Sequence, residues 1–358
     1  MRLYFPGSRG KMWLSKIHTP IMSSHKNRRS FLKKTVAVTL AAPFAKSLEE
    51  CALAEQQLDA LSHPTIPAGI EKLALDKMPR GAMPMGTIGK VKISRLICGG
   101  NLISGYAHAR DLIYVSPLLK HYFTDEKIME TWAVSEQCGV NTMILNPSDV
   151  RAAALYGKYR ARGGRIQYLA QINAEKNDLA TLVKQAKDAG AVGVFPVGNI
   201  GDRWVREGDA GKLAELVSII KDQGLIAGVA GHELRTVLAV ENTGCAPDFY
   251  MKTLHSNNYF TKRRPDQTKD VIDNGNDNYW CMDPVETIAR MAAIKRPWIA
   301  YKVLAAGAIH PRAGFQHAFE NGADFAVVGM FDFQIAEDVA VACEVLKLTP
   351  NRDRAWYA

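Results

Sequence analysis

The segment AGKLAELVSIIKDQGLIAGVAG, residues 210–231, contains the unit from which the fold is predicted. Apolar residues at helical spacing mark one face of its first part, namely Leu213, Leu216, Val217 and Ile220. Gly224 is the type of residue that ends a helix. The last part, LIAGVAG, is a short and continuously apolar run, which is typical of a strand buried on both faces. A helix followed directly by such a strand predicts an α/β protein with a parallel sheet.

The same alternation of apolar runs and amphipathic segments repeats along the chain. Eight apolar runs are predicted to be strands, at residues 95–100, 141–146, 166–172, 191–197, 225–231, 248–255, 298–305 and 324–331. A helical segment follows each of them. Eight such units predict a (β/α)8 TIM barrel over residues 86–350. A doubly wound open sheet is the alternative.

The connections between the predicted elements orient this barrel. Those that lead from a helix to the next strand are short, such as DAG and DQG. The long connections follow strands 1, 4 and 6, so they lie at the C-terminal mouth, where such barrels carry their chemistry. The longest spans residues 256–284. We predict that it is a lid, because loops of this length are uncommon unless they are functional; a disordered insertion is the alternative.

The N-terminal segment has the pattern of an export signal. Arg28-Arg29 and the following Ser30-Phe31-Leu32-Lys33 resemble the twin-arginine motif. An apolar run of 11 residues follows at 35–45, too short to span a bilayer. Ala52-Leu53-Ala54 has the small-x-small pattern of a cleavage site. We therefore predict a signal peptide at residues 1–54.

Three further predictions concern this part of the chain. Met22 is an alternative start, and residues 55–85 are predicted to be a linker or strap. The twin-arginine resemblance implies the export machinery as a partner and a periplasmic or extracellular location, with no stable membrane anchor. The chain has a net charge of +9, but residues 1–54 hold 10 Lys/Arg and 2 Asp/Glu. The remaining 35 basic and 34 acidic residues give +1, which predicts no nucleic-acid partner.

A second resemblance begins at GTIGKVKISRL, residues 86–96, whose alternation predicts an N-terminal β-hairpin that closes the bottom of the barrel. This hairpin and TDEKIMETWAVSEQCGVN, residues 124–141, are similar to the opening of aldo/keto reductases. The resemblance covers residues 86–145. It implies the barrel fold and, as an alternative function, oxidoreduction with a bound nucleotide.

The catalytic residues of that family are not matched. When the segments are aligned on Gly139-Val140-Asn141, the position of the family's Asp is Ile144 and that of its Tyr is Asp149. Its Lys falls near Gln171, and the predicted fourth strand contains no His. An oxidoreductase of this ancestry would therefore need an altered active site and a nucleotide held in a different way.

The C-terminal half carries a third resemblance. KVLAAGAI, residues 302–309, and NGADFAVVGMFD, residues 321–332, are similar to strands 7 and 8 of phosphate-binding TIM barrels. The resemblance implies that backbone N–H groups in the two turns bind a phosphate, and a flavin or nicotinamide nucleotide is its favoured bearer. The candidate residues are Gly307, Ala308 and Gly329. Close packing of strand against helix is the alternative reason for small residues here.

Polar residues at the ends of apolar strands mark a candidate site at the mouth. Because a buried polar group needs a partner, these side chains are expected to contact one another, water or a ligand. They are Asn101, Asn146, Gln171, His232, Glu233, Lys252, His255, Lys302 and Asp332, and Trp280 joins them from the lid loop.

In the favoured mechanism, Lys302 or Lys252 forms a Schiff base with a small carbonyl or sugar-derived substrate. The second lysine lowers the pKa of the first, and His255 and His232 transfer protons. This predicts lyase or isomerase chemistry of an aldolase type that requires no cofactor. Lys252 and His255 are three residues apart, so on an ideal strand they face opposite sides. The orientation of both lysines stays open.

Two other functions remain open. In a metal-dependent hydrolase, His232, His255 and Asp332 would bind a divalent metal at positions that resemble those of the amidohydrolase type, although that family's His-x-His is absent from strand 1. In a sugar-binding protein without catalysis, aromatic residues of the long loops would stack on the ligand.

The oligomeric state is open, with a homo-oligomer as one alternative. The five cysteines beyond residue 54 contain no C-x-x-C and are predicted to be mostly core thiols.

Overall fold

The computed structural model describes residues 83–106, 112, 114–174, 178–259 and 281–358, all of which belong to one compact unit, Ala60–Ala358. The predicted signal peptide at 1–54, residues 55–82 of the predicted linker and residues 260–280 of the predicted lid lie outside the described residues. Trp280 is among the latter. None of the helices in the described ranges is long and apolar enough to cross a membrane.

Eight parallel strands close into a barrel in chain order, which confirms the predicted (β/α)8 fold and excludes the open sheet. The barrel strands are β3 (Leu96–Cys98), β4 (Thr142–Leu145), β5 (Gln167–Ile172), β6 (Gly193–Pro196), β7 (Ile226–Gly231), β8 (Phe249–Thr253), β9 (Trp298–Tyr301) and β10 (Phe325–Val328). β10 pairs with β3 through Ala326 and Leu96, and this pairing closes the barrel. The predicted hairpin is also confirmed and consists of β1 (Met85–Ile88) and β2 (Val91–Ser94).

Helices surround the barrel in the order that the sequence predicts. They are α1 (Val115–Tyr122), α2 (Asp125–Gln137), α3 (Val150–Ala161), α4 (Leu179–Asp188), α5 (Gly198–Arg206), α6 (Ala210–Asp222), α7 (Leu234–Asn242), α8 (Pro284–Ala293), α9 (Pro311–Glu320) and α10 (Asp332–Leu348). The predictions of a long loop after the first and fourth barrel strands are wrong in part, because the helices α1 and α5 lie in those segments. Ile200 and Trp204 stand four residues apart in α5 and are both buried, so this helix has an apolar face.

Side chains along each barrel strand alternate between two cores. One set fills the barrel interior and includes Ile97, Ile144, Leu169, Phe195, Phe249, Met251, Ile299 and Phe325. Ile88 and Ile93 of the hairpin pack on this set, so the hairpin closes one end of the barrel, as predicted. The other set, which includes Tyr168, Tyr250 and Trp298, packs against the helices. The five cysteines of the described ranges are free and four are buried, in keeping with core thiols.

The predicted seventh strand is shorter than expected. We predicted residues 298–305, but β9 ends at Tyr301. Lys302 has φ 59°, in the left-handed region, so it follows the strand and does not lie within it. Ala305 and Ala306 also have positive φ, 47° and 59°. Such a conformation costs a residue other than glycine about 1 kcal/mol or more, and this backbone bend is what ends the strand.

The C-terminal segment is fixed to the barrel by one buried carboxylate. Asp324, directly before β10, is fully buried and accepts hydrogen bonds from Arg352 Nη2 and Arg354 Nη1, both at 2.8 Å. Arg95 donates to the backbone oxygen of Ala358 at 2.6 Å. The residues beyond the predicted barrel end at 350 are therefore tied to the base of the same barrel.

Candidate active site at the barrel mouth

Inward-facing polar side chains lie at or directly after the ends of three neighbouring strands. In β7, β8 and β9 the inward residues Ala230, Met251 and Ile299 belong to the interior core. Because side chains alternate between the two faces of a strand, the next inward-facing positions lie two residues further along the chain. These positions hold His232, Thr253 and Tyr301, and Thr253 pairs with Tyr301 across β8 and β9.

The same rule places two of the predicted substrate-binding residues in the mouth. Gln171 pairs with Phe195, an inward residue, so it faces inward at the end of β5. Asn146 directly follows β4, two residues after the inward Ile144, and is half-buried. Its Oδ1 accepts a hydrogen bond from the Ser148 backbone at 2.9 Å. The mouth thus brings together amide, hydroxyl, phenol and imidazole groups.

His232 is held by a buried carboxylate that the sequence did not single out. Asp202 of α5 is fully buried, and its Oδ2 lies 2.8 Å from His232 Nδ1. Asp202 also accepts from the backbone N–H of His232 at 2.9 Å, from that of Glu233 at 3.1 Å and from Thr236 Oγ1 at 2.7 Å. In the sequence, Asp202 appears only as a charged residue within GNIGDRW. Its position next to His232 could not be predicted, because this segment was taken for a loop and not for the helix α5.

These contacts set the charge of Asp202 and the tautomer of His232. Burial raises the pKa of Asp202, but the His232 side chain, the backbone N–H of His232 and the Thr236 hydroxyl together bring that pKa below its usual value. An ionised carboxylate accepts hydrogen bonds, so Nδ1 of His232 carries the proton. Nε2 is then the basic nitrogen of the neutral ring.

Tyr301 stands beside His232, and a glycine makes room for both. The two ring centroids are 5.3 Å apart. Gly198 is the first residue of α5, and a Cβ there would lie 2.8 Å from Tyr301 Oη and 2.9 Å from His232 Cε1. Only glycine lets the start of α5 come this close to both side chains. The sequence alone did not single out Tyr301, although it lies two residues after the inward Ile299.

Lys252 lies on the other side of its strand. Lys252 lies two residues from both Tyr250 and Leu254, which belong to the helix-facing core, so its side chain points out of the barrel like theirs. Only 1% of Lys252 is exposed. Its Nζ donates to the backbone oxygen of Thr253 at 2.8 Å. Burial lowers the pKa of Lys252, and the charges of Cys281 and Asp202 oppose this effect. An enclosed amine in the helical layer is poorly placed to attack a substrate in the mouth.

The two other predicted catalytic residues are placed differently. Lys302 is half-buried directly after β9, outside any strand. His255 is buried, its Nδ1 lies 3.0 Å from the Ser256 oxygen, and its Nε2 accepts from the Cys281 backbone at 2.9 Å. Both nitrogens of the His255 ring thus bond to backbone, which joins the end of β8 to the chain just before α8. This arrangement suits a structural role better than proton transfer.

The two acidic residues predicted to bind substrate, Asp332 and Glu233, instead contact basic side chains of the protein. Asp332, the first residue of α10, accepts from the Tyr122 hydroxyl at 2.5 Å and from Lys127 Nζ at 3.1 Å. Glu233 forms ion pairs with Arg206, at 2.7 Å, and with Arg235. Each carboxylate is therefore tied to the helical layer by neighbouring side chains.

The predicted metal ligands do not assemble. His232 bonds Asp202, His255 bonds backbone groups and Asp332 bonds Tyr122, so each is engaged at a separate place. Within the described part of the chain there is no group of three or more His, Cys, Asp or Glu side chains arranged to hold a metal ion. The weak prediction of a divalent metal held by these three residues gains no support.

The remaining predicted residues lie at the rim of the mouth. Asn101, Ala308 and Gly329 are exposed. Gly307 is also exposed and has φ 86°, a conformation that favours glycine. Gly307 and Gly329 follow the seventh and eighth barrel strands, where the phosphate prediction requires them. Phosphate binding itself stays a prediction.

Comparison with known proteins supports the fold. No family model and none of the curated proteins matches the chain. Two solved structures assigned as aldo-keto reductases from Pseudomonas aeruginosa are similar to it, one at TM-score 0.51 and 18% identity and the other at 0.50 and 19%. Each covers 75% of this chain and 98% of the other. At these identities the likeness shows the fold alone, a (β/α)8 TIM barrel.

A further solved structure is a truncated 3-deoxy-D-arabino-heptulosonate 7-phosphate synthase from Thermotoga maritima. It has a TM-score of 0.41 and 11% identity, and it covers 75% of this chain and 90% of the other. This similarity is too low to support an argument about function.

Proposed function

We propose that this protein is an enzyme of the lyase or isomerase class that transfers a proton on a small carbonyl or sugar-derived substrate at the barrel mouth. The observation that carries the proposal is the His232–Asp202 pair. A fully buried carboxylate 2.8 Å from Nδ1 fixes both the tautomer and the orientation of an imidazole at the mouth. A positioned imidazole of this kind is the commonest general acid–base group in enzymes.

Each residue of the mouth has a role in this reaction. His232 Nε2 removes a proton from the carbon next to the substrate carbonyl, and the electron pair moves onto the carbonyl oxygen as an enolate. In an isomerase, the protonated imidazole gives the proton to the former carbonyl carbon, while the proton of the hydroxyl group on the first carbon moves to the former carbonyl oxygen, so the carbonyl is shifted by one carbon. In a lyase, the imidazole protonates the leaving group, and the enolate electrons re-form the carbonyl as that group departs. Asp202 stabilises the imidazolium. Asn146 and Gln171 bind substrate hydroxyl groups, and Tyr301 donates to the developing oxyanion.

This route replaces the Schiff-base mechanism as the favoured one. Lys252 is enclosed in the helical layer, whereas His232 and Tyr301 are in contact at the mouth. The proposed reaction class is the one favoured from the sequence, but here His232 is the acid–base group and no amine nucleophile is required.

The test is deuterium exchange in heavy water. A panel of small ketoses, aldoses and 2-oxo acids is incubated with the protein, and loss of the proton next to the carbonyl is followed by NMR. We expect exchange in at least one compound, slowed by about 100-fold or more in His232→Asn because the general base is lost. His121→Asn is the control, since this residue is exposed on α1. Equal exchange in His232→Asn and the unaltered protein would contradict the proposal.

A second candidate is an oxidoreductase with a differently held nucleotide. It is supported by the contact between Tyr301 and His232, because carbonyl reduction needs a proton donor beside the carbonyl oxygen and a phenol next to an imidazole supplies one. Oxidation of NADH or NADPH with a carbonyl panel, together with the absorption spectrum of the purified protein, separates the two candidates. Nucleotide oxidation that is lost in Tyr301→Phe, without deuterium exchange, would favour the oxidoreductase.

A further inference from the structure

We infer that the mouth contains a carboxylate-binding subsite between Thr253 and the N-terminus of α5, and that the substrate is a small 2-oxo or 2-hydroxy acid. The inference rests on the proposed function, because it names the substrate class for the same His232. Two independent observations support the subsite, one from α5 and one from Thr253.

The first observation is the uncapped start of α5. Its N-cap residue, Val197, makes no side-chain hydrogen bond to the helix. The N–H groups of Ile200 and Gly201 reach the Val197 oxygen at 2.9 and 3.3 Å. Across the described ranges, the N–H groups of Gly198 and Asn199 have no hydrogen-bond acceptor. Orphan N–H groups at a helix start, with the positive end of the helix dipole, favour an anion.

The second observation is the hydroxyl of Thr253. Thr253 is fully buried, and its Oγ1 has no hydrogen-bond partner in the described part of the chain. Burying a hydroxyl without a partner costs about 1–3 kcal/mol, so such a group indicates a missing acceptor. Thr253 faces inward between His232 on β7 and Tyr301 on β9, and both of these approach Gly198.

The groups come together from four consecutive strand ends. α5 follows β6, His232 directly follows β7, and Thr253 and Tyr301 end β8 and β9. Asp202 lies one turn further along α5, but its oxygens are occupied by His232, Glu233 and Thr236. The anion would therefore meet N–H and O–H donors, while the oxygens of Asp202 already accept hydrogen bonds from the protein itself.

The donors fit the planar carboxylate of a 2-oxo or 2-hydroxy acid. One carboxylate oxygen would accept from Thr253 and the other from the start of α5. In a 2-hydroxy acid, the carbon bonded to the carboxylate carries the proton that His232 removes. In a 2-oxo acid that carbon is the carbonyl carbon, and His232 removes the proton from the carbon beyond it. The space is small, because even a methyl group on Gly198 would lie 2.8 Å from Tyr301 Oη. Thr253 is enclosed, so Tyr301, the half-buried member of the group, must turn aside to admit the acid.

The experiment measures ligand binding by the mature protein with pyruvate as the probe. NMR titration gives the Kd of pyruvate, of uncharged hydroxyacetone and of inorganic phosphate. We expect pyruvate to bind at least 10-fold more tightly than either of the others. Thr253→Val, which keeps the shape of the side chain, should raise the Kd of pyruvate about 10-fold, because a hydrogen bond to a charged group is lost. Thr253→Ser should change it less than about 2-fold.

Thr287→Val is the matched control, since Thr287 is also buried but lies on α8. It should bind pyruvate as the unaltered protein does. The inference is overturned if pyruvate does not bind, if hydroxyacetone or phosphate binds as tightly, or if Thr253→Val leaves the Kd unchanged. Thermal unfolding of each variant shows whether it is folded. If the valine variant is not, the comparison of pyruvate with hydroxyacetone and phosphate still tests the inference on the unaltered protein.

The subsite and the proposed function can fail separately. His232→Asn should slow deuterium exchange by about 100-fold or more but leave the Kd of pyruvate within a few-fold of its original value. Pyruvate binding that depends on Thr253, without exchange in any compound, would keep the subsite and refute the proton transfer. Exchange that depends on His232, with no effect of Thr253→Val on binding, would refute the subsite alone.

Discussion

Asp202 determines the behaviour of His232 at the scale of the single residue. It lies within one network with the imidazole, two backbone N–H groups and a threonine hydroxyl. The carboxylate does not face the mouth, so its effect on the reaction passes through His232. We therefore regard Asp202 as a positioning residue that affects both proton transfer and stability.

Replacement of Asp202 with asparagine should reduce deuterium exchange about 100-fold or more, because an amide permits the wrong imidazole tautomer.

The pKa of Asp202 is lowered by folding, so its stabilising effect is present above about pH 4 and declines as the pH falls through the folded pKa. Urea unfolding should show the largest loss of stability in Asp202→Asn near pH 7 and a smaller loss near pH 3. A loss that grows as the pH falls would contradict this assignment.

The placement of Lys252 leads to a second prediction for a single residue. Because its amine is enclosed and bonded to the Thr253 oxygen, borohydride in the presence of carbonyl compounds should leave no adduct on Lys252. Peptide mass spectrometry measures this directly. Exposed Lys92 on β2 serves as the reference for non-specific reaction. An adduct on Lys252 above the level at Lys92 would restore the Schiff-base mechanism.

At the scale of the element, short contacts between segments fix the ends of the barrel. α5 can lie close to β7 because Gly201 has no side chain, and a Cβ there would meet the Ala230 oxygen. This approach carries Asp202 to His232. At the opposite end, Arg352 and Arg354 hold the C-terminal segment to Asp324.

Arg354→Met should lower the free energy of unfolding by about 3 kcal/mol, because removal of one partner leaves the buried Asp324 charge without full compensation. Arg312→Met is the matched control, since Arg312 pairs with Glu344 at the surface and should contribute less than about 1 kcal/mol. Urea denaturation of both variants gives the comparison. Equal effects would show that the segment does not depend on the buried pair.

At the scale of the whole molecule, the chain combines a predicted export signal with a closed barrel. We propose that the protein works outside the cytoplasm, and the motif at Arg28-Arg29 supports this proposal. Replacement of both arginines with lysine should prevent export, because the twin-arginine machinery reads this pair. Cell fractionation and immunoblotting measure the location. Unchanged export of the lysine variant would show that another signal is used.

The fold could be predicted from the sequence because its signal is local and repeated. Each of the eight apolar runs, such as LIAGVAG at 225–231, must be buried on both faces, and that requirement is visible without any partner. Alternation in GTIGKVKISRL likewise predicted the hairpin, and the position of His232 at the end of its strand placed it at the mouth. These features depend on the order of residues along a single element.

The tertiary structure alone decided which polar residues meet. Asp202 reaches His232 across 30 positions of sequence, and the direction of Lys252 depends on where β8 begins and on the parity of its side chains. Tyr301 lies at the barrel mouth because the backbone bend at Lys302 ends β9 directly after it. Apolar burial is a property of each segment, whereas hydrogen-bond partners depend on distances between segments, so the sequence determined the barrel and the folded chain determined the site.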